Sequence, residues 1–327
     1  MARIGVGLIG AGKHGQRYLN HIRADVPKLA LVALSRQNVI AGREQAATLG
    51  CRFHEDWRAL IADPAVEAVI VVVPPNLHPA VVTAVATARK ALLIEKPLAI
   101  TSAAVHEIVR IVRATGVPTL MAHTLRWNTV VQAVRRELVT LGPLQALQVN
   151  QRFEPSSLAW LDDPALSGGG IILHTGVHSF DLVRCLTGCE VARVWCRTAR
   201  SHTRRTEDNF AAIFELAGSN ALVTASGSRS TAGRSGLIDV AGAEGQIVGD
   251  HALGAAYRVR GLTRTEVALP DPVPTVREAL RAFVTLLTSR TPPPVSIEDG
   301  ARAVLIAEAC LRAASSGGAE TVEDLRA

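Results

Sequence analysis

Through roughly the first 120 positions, short apolar runs alternate with amphipathic stretches. Residues 4–10 ("IGVGLIG"), 29–35 ("LALVALS"), 67–73 ("EAVIVVV"), 91–96 ("ALLIEK") and 118–123 ("PTLMAH") are nearly continuous in apolar character. Such runs predict strands covered on both faces. Between them, residues 15–22, 41–48, 79–87 and 103–114 carry apolar positions at helical spacing. Strand and helix in strict alternation predict a doubly wound parallel sheet.

Beyond residue 123 the period changes. Helices are expected over 130–141 and 173–186. Alternating strand candidates follow: "LQALQVNQRF", "VARVWCRTA", "NFAAIFELA", "NALVTASGSR", "GLIDVAGAEGQIVG" and "AAYRVRG". Consecutive strands joined by short turns imply an antiparallel sheet, so the second domain should be α+β. The proline cluster "TPPPVSIEDG" leads into a last helix over 300–314. The fold class is therefore α/β. Residues 1–123 are expected to form a dinucleotide-binding unit, and residues 124–327 a separate α+β unit.

Composition narrows the function classes. With 35 basic and 29 acidic residues the net charge is +6, but the arginines are scattered, which disfavours a nucleic-acid footprint. Aromatic residues make up only 4%, too few for a base-stacking platform. No apolar stretch approaches the roughly 20 residues of a membrane span. Five cysteines without a C-x-x-C spacing read as reduced thiols of a cytoplasmic protein.

Chemistry concentrates at the predicted strand ends. "GAGKHG" fits G-x-G-x-x-G directly after the first strand. Gly10 makes the tight turn, Gly12 lets a pyrophosphate approach the backbone, and Gly15 allows helix to pack on strand. Lys13 and His14 lie within the same loop and are assigned to the cofactor with it. At the end of the second strand an NAD site usually carries an acid for the ribose hydroxyls. Here stand Ser35 and Arg36, a hydroxyl and a guanidinium that suit a 2′-phosphate. NADP(H) is the preferred cofactor; with Arg36 merely stacked on adenine, NAD(H) would also bind. The loop "VVVPPNLHP" puts Pro74, Asn76 and His78 at the ligand-binding carboxyl edge, though His78 could instead cap the next helix. "LLIEKPLA" places Glu95 and Lys96 at the same edge, where an ammonium would polarise a carbonyl or steady an alkoxide.

Together with "AHTLRWN", "GGGIILHTGVHSFDLVRCLTG" and "RAVLIAEACLRAASSGG", these segments occur in the order and spacing of the Gfo/Idh/MocA family, which the whole chain resembles. That resemblance implies a pyridine-nucleotide oxidoreductase acting on a sugar, cyclitol or related polar substrate. It also implies that residues 124–327 are an α+β substrate and oligomerisation domain, forming a homodimer or homotetramer through an open-faced, mostly antiparallel sheet.

In the family pattern the glycines are followed by an Asp and, four residues later, a His. This chain keeps His178 and has His174 at the Asp position. Four-residue spacing on a helix puts both on one face. By resemblance His178 is the proton donor and acceptor, with Lys96 the polarising cation; an NADP-type cofactor favours reduction. His174 brings no fixed negative charge, which leaves the substrate open. A metal is not expected, because the H-x-x-x-H pair has no third ligand and no adjacent Glu. Trp160, Arg126 and Asn128 are carried over as substrate contacts, Trp160 with a core role as its alternative. Asp181 is placed to orient a histidine or Arg184, with a structural hydrogen bond as its alternative. A catalytically silent nucleotide-binding regulator is the competing function, and retention of both Lys96 and His178 argues against it.

Overall fold

The computed structural model describes residues 3–289 and 291–325. Its N-terminal half runs β1 (Ile4–Ile9), α1 (Gly15–Ala24), β2 (Leu29–Ser35), α2 (Val39–Leu49), β3 (Arg52–Phe53), α3 (Trp57–Ala62), β4 (Ala68–Val71), α4 (His78–Thr87), β5 (Ala91–Glu95), α5 (Ser102–Thr115) and β6 (Thr119–Ala122). The sheet is parallel, six-stranded and ordered β3-β2-β1-β4-β5-β6. β4 and β5 are buried at every position, which is why their sequences show no alternation. Strand order reverses between β1 and β4, so a crevice opens at their carboxyl ends.

The second half contains α6 (Thr129–Glu137), β7 (Leu144–Arg152), a short α7 (Pro164–Ser167) and α8 (Val177–Thr187). Strands β8 (Val191–Ala199), β9 (Asn209–Leu216), β10 (Ser219–Ser228), β11 (Ser235–Gly242), β12 (Gly245–Asp250), β13 (Ala255–Arg260) and β14 (Thr263–Glu266) follow. Last come α9 (Thr275–Ser289), α10 (Ile297–Ser316) and β15 (Glu320–Thr321). The nine strands form one mixed sheet, ordered β14-β13-β12-β11-β7-β10-β9-β8-β15. All pairs are antiparallel except β7 with β10, because the chain leaves β7, builds α8 and returns to insert β10 beside it. The stretch expected as one strand over 236–249 is the β11–β12 hairpin, turning at Ala243 and Glu244. β9 alternates buried and exposed residues along its length. α8 and α10 pack on one face of the sheet. On the other, Trp195, Ile213 and Leu222 are exposed.

The helix α9 is absent from the sequence reading, hidden between proline-rich segments. It is amphipathic, buries Val276, Leu280 and Phe283, and packs on α1. α10 begins with a reciprocal cap between Ser296 and Asp299 and packs on both α5 and β8. The C-terminal segments therefore clamp the two sheets together. Among the described residues no helix is long and apolar enough to cross a membrane.

Candidate active site

The glycine loop is built as steric logic requires. Gly10 has φ +99°, and a Cβ there would lie 2.1 Å from the Val72 carbonyl oxygen. A Cβ on Gly15 would lie 2.2 Å from the Gly10 oxygen, whereas one on Gly12 would meet nothing within 4 Å. The loop is closed against the sheet on one side and open at Gly12, the space a pyrophosphate needs. The amides of Gly10 and Ala11 donate to the Ser35 carbonyl at 3.0 and 3.2 Å. Ser35 is itself buried, and Arg36 donates to Gln45 at 3.3 Å. Lys13 is exposed.

Asn76 reaches the same edge with a buried Oδ1 that has no partner, an acceptor that a bound cofactor's hydroxyl or amide would satisfy. The residues present thus fit a dinucleotide. Pro74 is exposed beside Asn76. His78 behaves differently from the expectation. It is fully buried, with Nδ1 3.1 Å from the Leu98 oxygen and Nε2 3.1 Å from the Val73 oxygen. Burial lowers its pKa, so the neutral ring donates to one of the two carbonyls. Neither nitrogen is left for a cofactor, nor does the ring cap α4; it ties the Pro-Asn loop to the segment after β5.

Glu95 ends β5 almost completely buried, and burial alone would raise its pKa. His14 Nε2 at 2.8 Å and the Tyr18 hydroxyl at 2.6 Å, both on Oε1, outweigh burial and with Lys96 hold it at about 2. The carboxylate is occupied within the protein. Lys96, half-buried, donates from Nζ to the His174 carbonyl at 2.9 Å. Desolvation pulls its pKa down to about 8 against the attraction of Glu95, and Arg229 adds to the fall.

The glycines before the histidines serve a close approach. A Cβ on Gly170 would lie 1.8 Å from the Glu207 oxygen. The Glu207 carboxylate accepts from the amides of Gly170 and Ile172 at 2.9 and 3.0 Å, anchoring the segment's start. The expected single helix then opens into a π turn over Ile172–Gly176 before α8. His174 lies in the wide turn and His178 in the regular helix. His178 Nδ1 is enclosed without a partner, and its ring meets His123 edge-on at 5.9 Å between centroids. Burial, reinforced by Lys96 and His123, drives its pKa well below the ordinary histidine value. His174 Nδ1 lies 2.7 Å from Arg229 Nη2, and its ring meets Trp160 edge-on at 6.0 Å. Its pKa too is well below normal, through burial and then Lys96 and Arg229. Among the described residues no three His, Cys, Asp or Glu side chains converge as a metal would require.

Two substrate contacts carried over by resemblance are committed elsewhere. Arg126 forms a forked pair with Asp181 at 2.9 and 2.6 Å and reaches Asp299 at 3.0 Å. Burial opposes its charge, but Asp181 and then Asp299 raise its pKa above the usual arginine value. Asp181 therefore serves Arg126, and Arg184 pairs with Glu190 and Asp299. Asn128 caps α6, accepting from Val130 at 2.9 Å, while its amide donates to the His251 carbonyl at 3.2 Å. A carboxylate pair and a cap consume both side chains. Tyr18, His123 and Arg229 were not singled out from sequence. Tyr18 falls within the first helix-like segment, His123 ends a strand run, and Arg229 ends the strand candidate "NALVTASGSR", each with no catalytic motif of its own.

Residues 4–123 match the family described as "Oxidoreductase family, NAD-binding Rossmann fold", and residues 137–248 match the GFO/IDH/MocA C-terminal domain. The chain is 28% identical over 315 residues to myo-inositol 2-dehydrogenase of Thermotoga maritima, covering 92% of this chain and 93% of that one. It is 29% identical over 350 residues to inositol 2-dehydrogenase 1 of Saccharopolyspora erythraea, covering 97% and 96%. Its fold also matches levoglucosan dehydrogenase complexed with NADH and levoglucosan, with TM-score 0.89, 21% identity and coverage of 98% and 100%. The chain belongs to the Gfo/Idh/MocA family of NAD(P)-dependent oxidoreductases.

Proposed function

We propose that the protein interconverts a secondary alcohol and a ketone of a sugar-like or cyclitol-like substrate, with Lys96 and His178 acting on the reacting oxygen. The observation that carries this reading is the Lys96 ammonium, fixed 2.9 Å from the His174 carbonyl one helical turn from His178. Inositol dehydrogenase names among the relatives support the substrate class.

A bound nicotinamide supplies the two-electron hydride chemistry. Gly10, Gly12, Lys13, His14 and Gly15 would hold its phosphates, Pro74 and Asn76 its nicotinamide side. Glu95 orders the loop rather than touching the cofactor. No described protein group claims either ring nitrogen of His178 by a hydrogen bond, so the substrate decides its tautomer. A depressed pKa keeps the ring neutral at physiological pH, so His178 accepts the alcohol proton during oxidation. Lys96, still protonated below about 8, stabilises the alkoxide that forms. This favours oxidation over the reduction that an NADP-type site suggests. Trp160, edge-on to His174, lines the substrate side.

Arg36 and the missing acid after β2 support a preference for NADP(H), with the guanidinium rather than the buried Ser35 hydroxyl as the contact. The exposed Trp195, Ile213 and Leu222 support subunit contact through the open sheet face, and five free cysteines suit a reducing compartment. The test is turnover of polyols and sugars with NAD+ and NADP+, compared among wild type, Lys96→Ala, His178→Ala and Arg36→Ala. Either of the first two substitutions should cost on the order of a hundred- to ten-thousand-fold in kcat with cofactor binding retained. Arg36→Ala should weaken NADPH about tenfold more than NADH. Full activity in both the Lys96 and His178 variants would overturn the mechanism.

A further inference from the structure

Arg229, the first residue after β10, carries a guanidinium without an acid. Its Nη2 donates to His174 Nδ1 at 2.7 Å and to the Thr175 hydroxyl at 2.8 Å, while its Nε is enclosed and has no partner. No carboxylate among the described residues forms an ion pair with it. The acids sharing its cavity are engaged by backbone amides: Asp162 by Arg204, Arg205 and Thr206, Asp208 by Ser201, His202 and Thr203, and Glu207 by Gly170 and Ile172. Part-buried Arg229 also lies over the Phe153 ring at 5.5 Å, a contact that leaves its charge in place.

The bond to Arg229 fixes the tautomer of His174. A guanidinium only donates, so Nδ1 must offer its lone pair and the proton sits on Nε2. An Asp at position 174 would have paired with Arg229 and cancelled its charge; the imidazole leaves that charge intact. His174 and Arg229 both line a cavity of about 210 Å³, with Ser156, Leu158 and the amide-bound acids Asp162, Glu207 and Asp208, and the Lys96 ammonium donates to the His174 carbonyl. A neutral hydroxyl would accept a hydrogen bond but leave this part-buried cation without a counter-charge. From this donor set and the uncompensated guanidinium we infer that the substrate carries an oxyanion, a carboxylate or a phosphate, held by Arg229 and His174 beside the carbon that is oxidised. The inference rests on the dehydrogenase reading above and narrows its substrate class from neutral polyols to sugar acids or sugar phosphates.

Calorimetry on the NADH-loaded protein tests it without requiring turnover. The probes are D-glucuronate, D-galacturonate and glucose 6-phosphate against D-glucose, D-galactose and myo-inositol, with NAD(P)+ reduction assayed in parallel. At least one anionic probe should bind more than about tenfold tighter than its neutral counterpart, and the acid and phosphate arms identify which oxyanion fits. Arg229→Gln should cost on the order of a hundred-fold for that probe and less than about threefold for the neutral sugars, with Arg229→Lys recovering part. Unchanged NADH affinity in the Gln variant shows an intact fold. Equal binding of anionic and neutral probes, or equal losses for both in Arg229→Gln, would overturn the inference. Turnover of neutral sugars with no anion preference leaves the dehydrogenase reading standing alone. Anion binding lost in Arg229→Gln, without turnover of any probe, leaves this inference standing and the dehydrogenase reading refuted.

Discussion

His14 and Glu95, 81 positions apart in the chain, meet at 2.8 Å, and the Tyr18 hydroxyl reaches the same carboxylate oxygen at 2.6 Å. The phosphate loop, the helix it opens and the strand that carries Lys96 are thereby locked to one buried charge. Glu95 also holds up the proton affinity of Lys96. Glu95→Gln should keep the fold but shift the alkaline limb of kcat/KM to lower pH by about one pH unit. A profile identical to wild type would refute that coupling.

On the proposed mechanism, Lys96 and His178 set the shape of that profile. The ammonium is present below about 8 and lost as pH rises through that value, while His178 stays neutral into the acid range. For alcohol oxidation, kcat/KM should therefore be flat near neutrality and fall above about pH 8, and Lys96→Arg should abolish the fall. A rise through the same pH would instead make Lys96 the base.

The glycines of the loop separate folding from binding. Gly15→Ala forces a Cβ to 2.2 Å from the Gly10 oxygen and should cost about 2–4 kcal/mol of stability in urea unfolding. Gly12→Ala, with open space around its Cβ, should unfold at the wild-type midpoint yet bind NADPH at least about tenfold more weakly.

Arg126 is a structural residue in this arrangement. Arg126→Met leaves the buried Asp181 carboxylate unpaired, an expected loss of about 3–5 kcal/mol in the unfolding free energy. Adding Asp181→Leu should recover much of it. If Arg126 bound substrate instead, KM would rise while the unfolding midpoint stayed fixed.

Legibility from sequence followed the range of the interactions. β2 and β8 lie where their apolar runs or alternation put them, and the glycine loop needed only local sterics. The parallel pairing of β7 with β10 depends on an excursion through α8 that no local period records. Side-chain duties were harder still. His78, Arg126 and Asn128 sit at the crevice in sequence terms, but partners 20, 55 and 123 residues away absorb them. Arg229 acquires meaning only from position 174, 55 residues earlier, because its uncompensated charge is a property of the pair.

The contact between Lys96 and position 174 is made to the main chain, inside the π turn. Residue 174 can therefore be exchanged without releasing the ammonium proposed to serve the reaction. On the proposed mechanism, one place in the scaffold can be rewritten for a new substrate while the hydride-transfer machinery is inherited unchanged. A family that varies its substrates widely needs such a division of labour between backbone and side chain.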